Sequence, residues 1–178
     1  MTTAIAEPID LPDVRSYLSM VPDDTSEDPI LTDAITFCRD RLESVLPYYL
    51  AEREVTVSRE LCTWGLLPDV SIPLKGPVLE VERVRITFRD GSDATAPAES
   101  WYVFGGKLHL ALREALDLME AEVAPIGVTV EYRAGSHCPP VVKNALLMMV
   151  RNRYERRDED PLTDAVMSSI YPETRPNI

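Results

Sequence analysis

The residue types most able to do chemistry in this chain are sparse, and His137 followed by Cys138 is the strongest pair. The pair precedes Pro139-Pro140, where a helix is expected to begin, and a helix N-terminus can lower the pKa of a thiol. A nucleophilic or metal site needs further partners, yet the chain has one other histidine and two other cysteines, all remote in sequence. Packing of a loop against a helix start is the simpler interpretation. We therefore expect no catalytic residue, no cofactor and no metal site.

A second candidate is Gly105-Gly106 followed by Lys107, since glycines and a lysine occur together in phosphate-binding loops. The spacing GxxxxGK[ST] is absent. The flanking segments WYVF and KLHL read as strands, and paired glycines supply the positive φ that a tight turn demands. The pattern predicts a hairpin, with His109 on its solvent face.

The most informative stretch is VVKNALLMMVRNRYERRDEDP, Val141 to Pro161, in which an apolar block is followed by a cluster of arginines. Three interpretations are open. The first is a solvated helix C-terminus, where cations oppose the helix dipole and pair with Glu155, Asp158 and Glu159. The second is a contact with another subunit or protein, because arginine makes forked bonds to carboxylates. The third is a nucleic-acid grip. The arginines are Arg151, Arg153, Arg156 and Arg157.

Charge disfavours the third interpretation. The 178 residues carry 18 basic and 30 acidic side chains, a net charge of −12, and an acidic surface repels nucleic acid. The first fifty residues alone hold three basic and ten acidic residues, a net of −7. A loop in this region is predicted to form an acidic surface or channel face through Asp23, Asp24, Glu27 and Asp28.

Composition indicates a globular protein, with 45% hydrophobic and 27% charged residues. The length suits one domain over residues 1–159, with residues 1–9 as a loose arm and 160–178 as a C-terminal tail. Three widely spaced cysteines give no disulfide framework, which favours a reducing cytoplasm as the place of folding. No secretory signal is expected, and no run of 18 apolar residues predicts a membrane span.

Periodicity predicts an α+β fold. A short helix opens near Asp10-Leu11-Pro12. A longer one begins with Asp28 as N-cap and ends near Pro47. Alternating residues then predict a small antiparallel sheet, with an edge strand at 71–74, a β-bulge at Glu82–Arg83 and a last strand through 128–132. Residues 113–124 form a short helix or an irregular excursion. The final helix runs from 140 to about 157 and is expected to be the central strut of the core.

The order of these segments resembles the head-to-tail connector proteins of long-tailed bacteriophages, also called adaptor or head-completion proteins, with relatives in phage-like gene transfer agents. Five places carry the resemblance, and the match runs over nearly the whole chain; residues 113–124 depart from it. The segments are DVRSYLSMVPDDTSEDPILTDAITFCRDRLESVL, SIPLKGPVLEVERVRIT, VTVEYRAGS, PPVVKNALLMMVRNRYERRDE and AVMSSIYPETR.

The resemblance implies a structural protein of the virion neck, made in the cytoplasm of a bacterial host, without enzyme activity. It implies a homo-oligomeric ring of about twelve copies that binds the portal protein, extends the DNA channel and offers a platform to the next head-closure or tail protein. Genome DNA passes through without specific binding, and no membrane is involved. The alternative is a small nucleic-acid-binding or regulatory protein that uses the arginine-rich helix.

In this family the C-terminal segment reaches the portal. Mapped here, that is a docking tail whose predicted portal or subunit contacts join the four arginines named above. A hydrophobic and aromatic segment stiffened by proline loses less chain entropy on binding. These additional contact residues are Leu162, Ile170, Tyr171, Pro172 and Arg175.

Overall fold

The computed structural model describes residues 7–21, 25–61, 69–121, 123–135 and 137–174. The helices are α1 (Leu11–Tyr17), α2 (Asp28–Glu43), α3 (Leu112–Leu118), α4 (Pro140–Glu155) and α5 (Asp164–Ile170). The strands are β1 (Arg53–Glu60), β2 (Val70–Pro73), β3 (Val78–Phe88), β4 (Asp93–Thr95), β5 (Trp101–Phe104), β6 (Lys107–Leu110) and β7 (Pro125–Ala134). Short 3-10 turns cover Ala98–Ser100 and Tyr171–Thr174. The predicted α+β class is confirmed.

The chain divides into two compact units. Unit 1 comprises Met1–Glu52 and Ser136–Ile178, and unit 2 comprises Arg53–Gly135. Unit 1 therefore unites the two ends of the chain and contains α1, α2, α4 and α5. Unit 2 contains every strand of the described part, together with α3.

The starts of α1 and α2 follow from their sequences. Asp10 caps α1, and its Oδ1 accepts a hydrogen bond from the Asp13 backbone N–H at 2.8 Å, as predicted. The α2 start differs by one residue: the N-cap position is Glu27, and Asp28 is already helical. Asp28 instead pairs with Arg15 at 3.2 Å, so its carboxylate links α2 to α1. The last residue of α2 is Glu43, four residues before Pro47.

The core of unit 1 lies between α2 and α4. In α4 the apolar stripe predicted from helical spacing is fully buried, and Leu147 and Met148 pack against it in part. In α2 the matching stripe includes Leu31, Cys38 and Leu42, each 0% exposed. The strut role predicted for α4 is confirmed by this burial, since one helix supplies much of the shared apolar surface. The α4 stripe consists of Val142, Ala145, Leu146, Met149 and Val150.

The described parts of both terminal segments are held more firmly than the sequence indicated. Ile9 is buried and Glu7 accepts a 2.7 Å ion-paired hydrogen bond from Arg39, so the described end of the expected loose arm is fixed to α2. Residues 160–170 are likewise not a simple tail. Asp164–Ile170 form α5, with Val166 and Ile170 buried in the same core as α4. The prolines around α5, Pro161 and Pro172, favour an extended segment, and the seven-residue helix between them is too short for its period to stand out.

Unit 2 holds two antiparallel sheets where the sequence indicated one. The larger has strand order β1-β7-β3-β4, and the smaller has β2-β6-β5. The register of β3 on β7 shifts between Val81 and Arg83, which confirms the predicted bulge. β2 lies at a sheet edge and carries Pro73, also as predicted. The short strand β4 was not foreseen, and the excursion after residue 112 begins as the helix α3.

Candidate interaction surfaces

The arginine end of α4 is largely paired with its own neighbours. Arg151 contacts Glu155 at 2.8 Å, and Arg156 contacts Glu159 at 3.2 Å. The guanidinium of Arg153 lies 4.6 Å from the ring centroid of Phe37, and it also donates to the backbone oxygen of Arg157. These contacts match the interpretation as a solvated helix C-terminus.

The segment after α4 is held against α2 by one further ion pair. Arg41 of α2 contacts Asp160 at 2.7 Å, and this guanidinium lowers the pKa of the Asp160 carboxyl. Asp160 also accepts from the Leu162 backbone N–H at 3.0 Å. Asn152 Nδ2 donates to the Pro161 oxygen at 3.3 Å, so the turn from α4 to α5 has a defined course.

The predicted contact residues of the C-terminal segment fall into different environments. Tyr171 is 56% exposed, Pro172 is exposed and Leu162 is half-buried, so these three present surface to a partner. Ile170 does not fit the prediction of a partner contact. Its side chain is 0% exposed because it packs in the unit 1 core, so it is not available to a partner in this fold. Arg175 lies outside the described residues.

The predicted acidic face is only partly described. Asp23 and Asp24 lie outside the described residues. Glu27 accepts a hydrogen bond from the Tyr154 hydroxyl, and Asp28 pairs with Arg15. Both described acids therefore also hold α1, α2 and α4 together within unit 1.

His137 and Cys138 do not form an activated pair. The His137 ring meets the Tyr48 ring edge-on, with centroids 5.0 Å apart. Cys138 is half-buried, and burial raises the pKa of its thiol, so the neutral form prevails. The described ranges contain no group of three or more His, Cys, Asp or Glu able to hold a metal. The pair lies in the loop that leads into α4, where Cys138 packs against the unit 1 core.

Cys38 gives a direct check on the core. It is 0% exposed between α2 and α4, and burial raises the pKa of its thiol to about 12. At pH 8 only about one thiol in ten thousand would be ionised, and the thiolate is the reactive species. We expect iodoacetamide to leave Cys38 unmodified in the native protein and to modify it in 6 M guanidinium, as peptide mass mapping would show. Modification of Cys38 at a rate similar to the unfolded chain would contradict the packing.

One surface was missed in the sequence. Strand β5 is WYVF, an uncharged apolar strand, and Tyr102 is 62% exposed and Phe104 74% exposed. The Tyr102 ring stacks on His109, with centroids 5.0 Å apart and planes 13° from parallel. Pro73 and Lys107 share this face of the smaller sheet, according to the strand register. The signal in the sequence is the run of four consecutive apolar residues before Gly105-Gly106, a pattern that also fits a hairpin arm with one buried face.

No helix in the described part of the chain is long and apolar enough to span a membrane. No protein-family model matches the chain, and no curated protein matches it. Among solved structures, the chain is similar to one described as "Neck of empty GTA particle computed with C6 symmetry", in which GTA denotes gene transfer agent. The TM-score is 0.70 at 19% sequence identity, over 96% of this chain and 92% of that chain. This chain thus has, over nearly its whole length, the fold of a chain from a gene transfer agent neck.

Proposed function

We propose that this protein is a structural component of the neck of a phage or a phage-like gene transfer agent particle. In this role it forms a ring that joins the portal of the DNA-filled head to the tail and extends the DNA channel. The observation that carries the proposal is the shared fold with a neck chain, which extends over 96% of this chain and includes both units. Ordering of the segments in the sequence supports the same role independently.

The distribution of exposed and paired side chains suits an assembly protein. Exposed apolar side chains remain at several places, including Tyr171 in unit 1 and Phe104 in unit 2. Where such side chains form a contiguous patch, they mark an interaction surface. A ring of about twelve copies is proposed from the family resemblance. Twelve copies are compatible with the six-fold symmetry named for the similar neck.

The portal contact is proposed for the exposed part of the C-terminal segment, Leu162, Tyr171 and Pro172, with the arginine end of α4 beside the same chain turn. Asp164, Met167, Ser168 and Tyr171 line an open depression of about 430 Å³ on this side of α5. An aromatic side chain at the rim of an apolar depression is a favourable anchor for a protein contact.

The acidic character of the chain suits a channel wall along which DNA moves without adhering. A net charge of −12 gives repulsion from phosphates rather than counterion-releasing contacts. This role is proposed for the protein as a whole, and it applies to those acids that face the lumen in the assembled ring.

The alternative, nucleic-acid binding by the arginine helix, is weakened by the pairing of those arginines. Arg151 and Arg156 already contact carboxylates, and Arg153 lies over Phe37. A DNA phosphate would have to displace these partners. Salt-dependent DNA affinity at physiological ionic strength, reduced when these arginines are replaced, would favour the alternative.

The test of the proposed function is electron microscopy of lysates from the source particle, with this gene inactivated by an early stop codon. We expect separate DNA-filled heads and finished tails, because the component that joins them is missing. Adding the purified protein should restore joined particles. Intact, infectious particles from the inactivated gene would overturn the proposal.

The same complementation assay tests the portal contact. Deleting residues from 162 onward is a poor variant, because it removes Val166 and Ile170 from the core. Tyr171→Ser changes an exposed side chain and should reduce joining, since it removes the proposed anchor. The matched control is Leu79→Ser, which alters another exposed apolar side chain, 48% accessible, in unit 2 and outside the proposed contact. Equal joining by both variants would place the portal contact elsewhere.

A further inference from the structure

Within the described residues, no strand and no hydrogen bond covers one side of the β5 backbone. In a two-residue hairpin the residues flanking the turn are hydrogen-bonded to each other, and bonded and non-bonded pairs then alternate. The Ala111 N–H donates to the Ser100 oxygen at 2.8 Å, which fixes the same alternation at the other end. Tyr102 and Phe104 thus bond to β6, whereas Trp101 and Val103 turn their N–H and C=O groups away from the sheet. β5 is the last strand in the order β2-β6-β5.

The other edges in the described part of unit 2 are protected, and β5 is not. On β2 the outward groups belong to Ser71 and Pro73: Pro73 has no N–H, and the Ser71 oxygen accepts from the Arg59 guanidinium. Natural proteins protect exposed edges with charges, proline, bulges or very short strands. β4 is three residues long and begins with Asp93. β1 carries Glu54 and Glu60. The sequence WYVF has no charge and no proline, its pairing with β6 has no bulge, and it is one residue longer than β4.

We propose that β5 is a strand-addition site, which binds an extended segment of a different protein as a fourth strand of the smaller sheet. The outward N–H and C=O groups of Trp101 and Val103 would hydrogen-bond to the main chain of that segment. Its alternate side chains would be apolar and would lie beside Tyr102 and Phe104. Strand addition combines these two elements: main-chain hydrogen bonds give affinity, and alternate side chains give specificity.

A second copy of this chain fits the site poorly. Its other described edges are protected, so the only matching strand is β5 itself. That pairing is two-fold symmetric, whereas neighbouring copies in a cyclic ring meet through unlike surfaces. A pair of four-residue strands is also far smaller than the roughly 20–30 residues a side that a stable dimer uses. A short, uncharged apolar segment of another protein needs only these four residues.

The strand-addition site extends the proposed neck function, since the bound segment would then belong to a neighbouring neck protein. The peptide-binding test of the site does not depend on that neck function. The probe is the peptide Lys-Val-Thr-Tyr-Thr-Val-Thr-Lys, added at millimolar concentration to the ¹⁵N-labelled full chain. Saturable shifts are expected at the Trp101 and Val103 amide signals. In the antiparallel register, the threonine N–H groups face β5 while the valine and tyrosine side chains cover Tyr102 and Phe104. N-methylation of the threonine amides should abolish binding, and N-methylation of the valine and tyrosine amides should preserve it.

The matched variants are Val103→Pro and Val103→Thr. Proline removes only the outward N–H of residue 103, which the hairpin does not use, so an edge position tolerates it. We expect at least about tenfold weaker peptide binding for Val103→Pro and near wild-type binding for Val103→Thr, with the Ala111 amide signal unchanged as a check of the hairpin. No shift with the unmethylated peptide, equal loss with both methylated peptides, or concentration-dependent self-association through Val103 would overturn the proposal. A failure of these tests leaves particle joining by the wild-type protein unaffected, so the two proposals are judged separately.

Discussion

Replacing Leu146 by alanine is expected to lower the free energy of unfolding by about 2–5 kcal/mol. Leu146 is 0% exposed in the middle of α4 and belongs to the stripe that faces α2. The substitution removes buried apolar surface and leaves a cavity, and the surrounding helices can close it only in part. Guanidinium unfolding followed by circular dichroism at 222 nm gives the measurement, because most of the helical residues belong to unit 1.

Leu147 supplies the control, since it is the same residue type one position along the same helix. Its side chain is only partly buried at the margin of the core. Leu147→Ala should therefore cost clearly less than Leu146→Ala, while the change in intrinsic helix propensity is the same for both. Equal losses for the two variants would show that α4 is not oriented as described.

The second large effect is expected at Glu43, a charged residue that is only 3% exposed. Its Oε1 accepts hydrogen bonds from the backbone N–H groups of Leu50 at 2.7 Å and Ala51 at 3.2 Å. Both residues are buried, so Glu43→Ala leaves two donors away from water. At about 1–3 kcal/mol for each of the two unsatisfied donors, we expect a total loss of roughly 2–6 kcal/mol in unfolding free energy.

Glu43→Gln is the matched variant, because its amide oxygen can still accept from both N–H groups. We expect it to retain more than half of the stability that Glu43→Ala loses, in the same guanidinium titration. If glutamine and alanine are equally destabilising, the carboxylate charge rather than its acceptor role maintains the turn at residues 44–51.

The contrast between Glu43 and Leu146 indicates what a sequence reveals. Leu146 lies in a run with apolar residues at three- and four-residue spacing, and this local period alone predicts a buried face. Glu43 is an acidic residue like the exposed acids near it in the sequence, so its residue type does not indicate that it is buried. Its burial depends on where the chain turns after α2, which no short-range pattern encodes.

The arginine cluster shows the same division. The spacing of Arg151 and Glu155 predicts a contact along one helix, and the structure contains it. The position of Arg153 over Phe37 joins residues 116 positions apart, so it follows only from the packing of α4 on α2. The prediction of Ile170 as a partner contact does not fit this fold for a related reason. The residue type suited either a docking segment or a core, and tertiary packing placed it in the core.

The sequence by itself determined the α+β class, the buried stripe of α4, the bulge in β3, the edge position of β2 and the general order of segments that resembles neck connectors. Each of these depends on periodicity or on the backbone limits of proline and glycine, which act over a few residues. Only the tertiary structure decided the division into two units, the second sheet, the burial of Ile9 and Ile170, and the unprotected edge of β5. These depend on which distant segments meet, and a strand becomes an edge only when the arrangement of its neighbours leaves one side open.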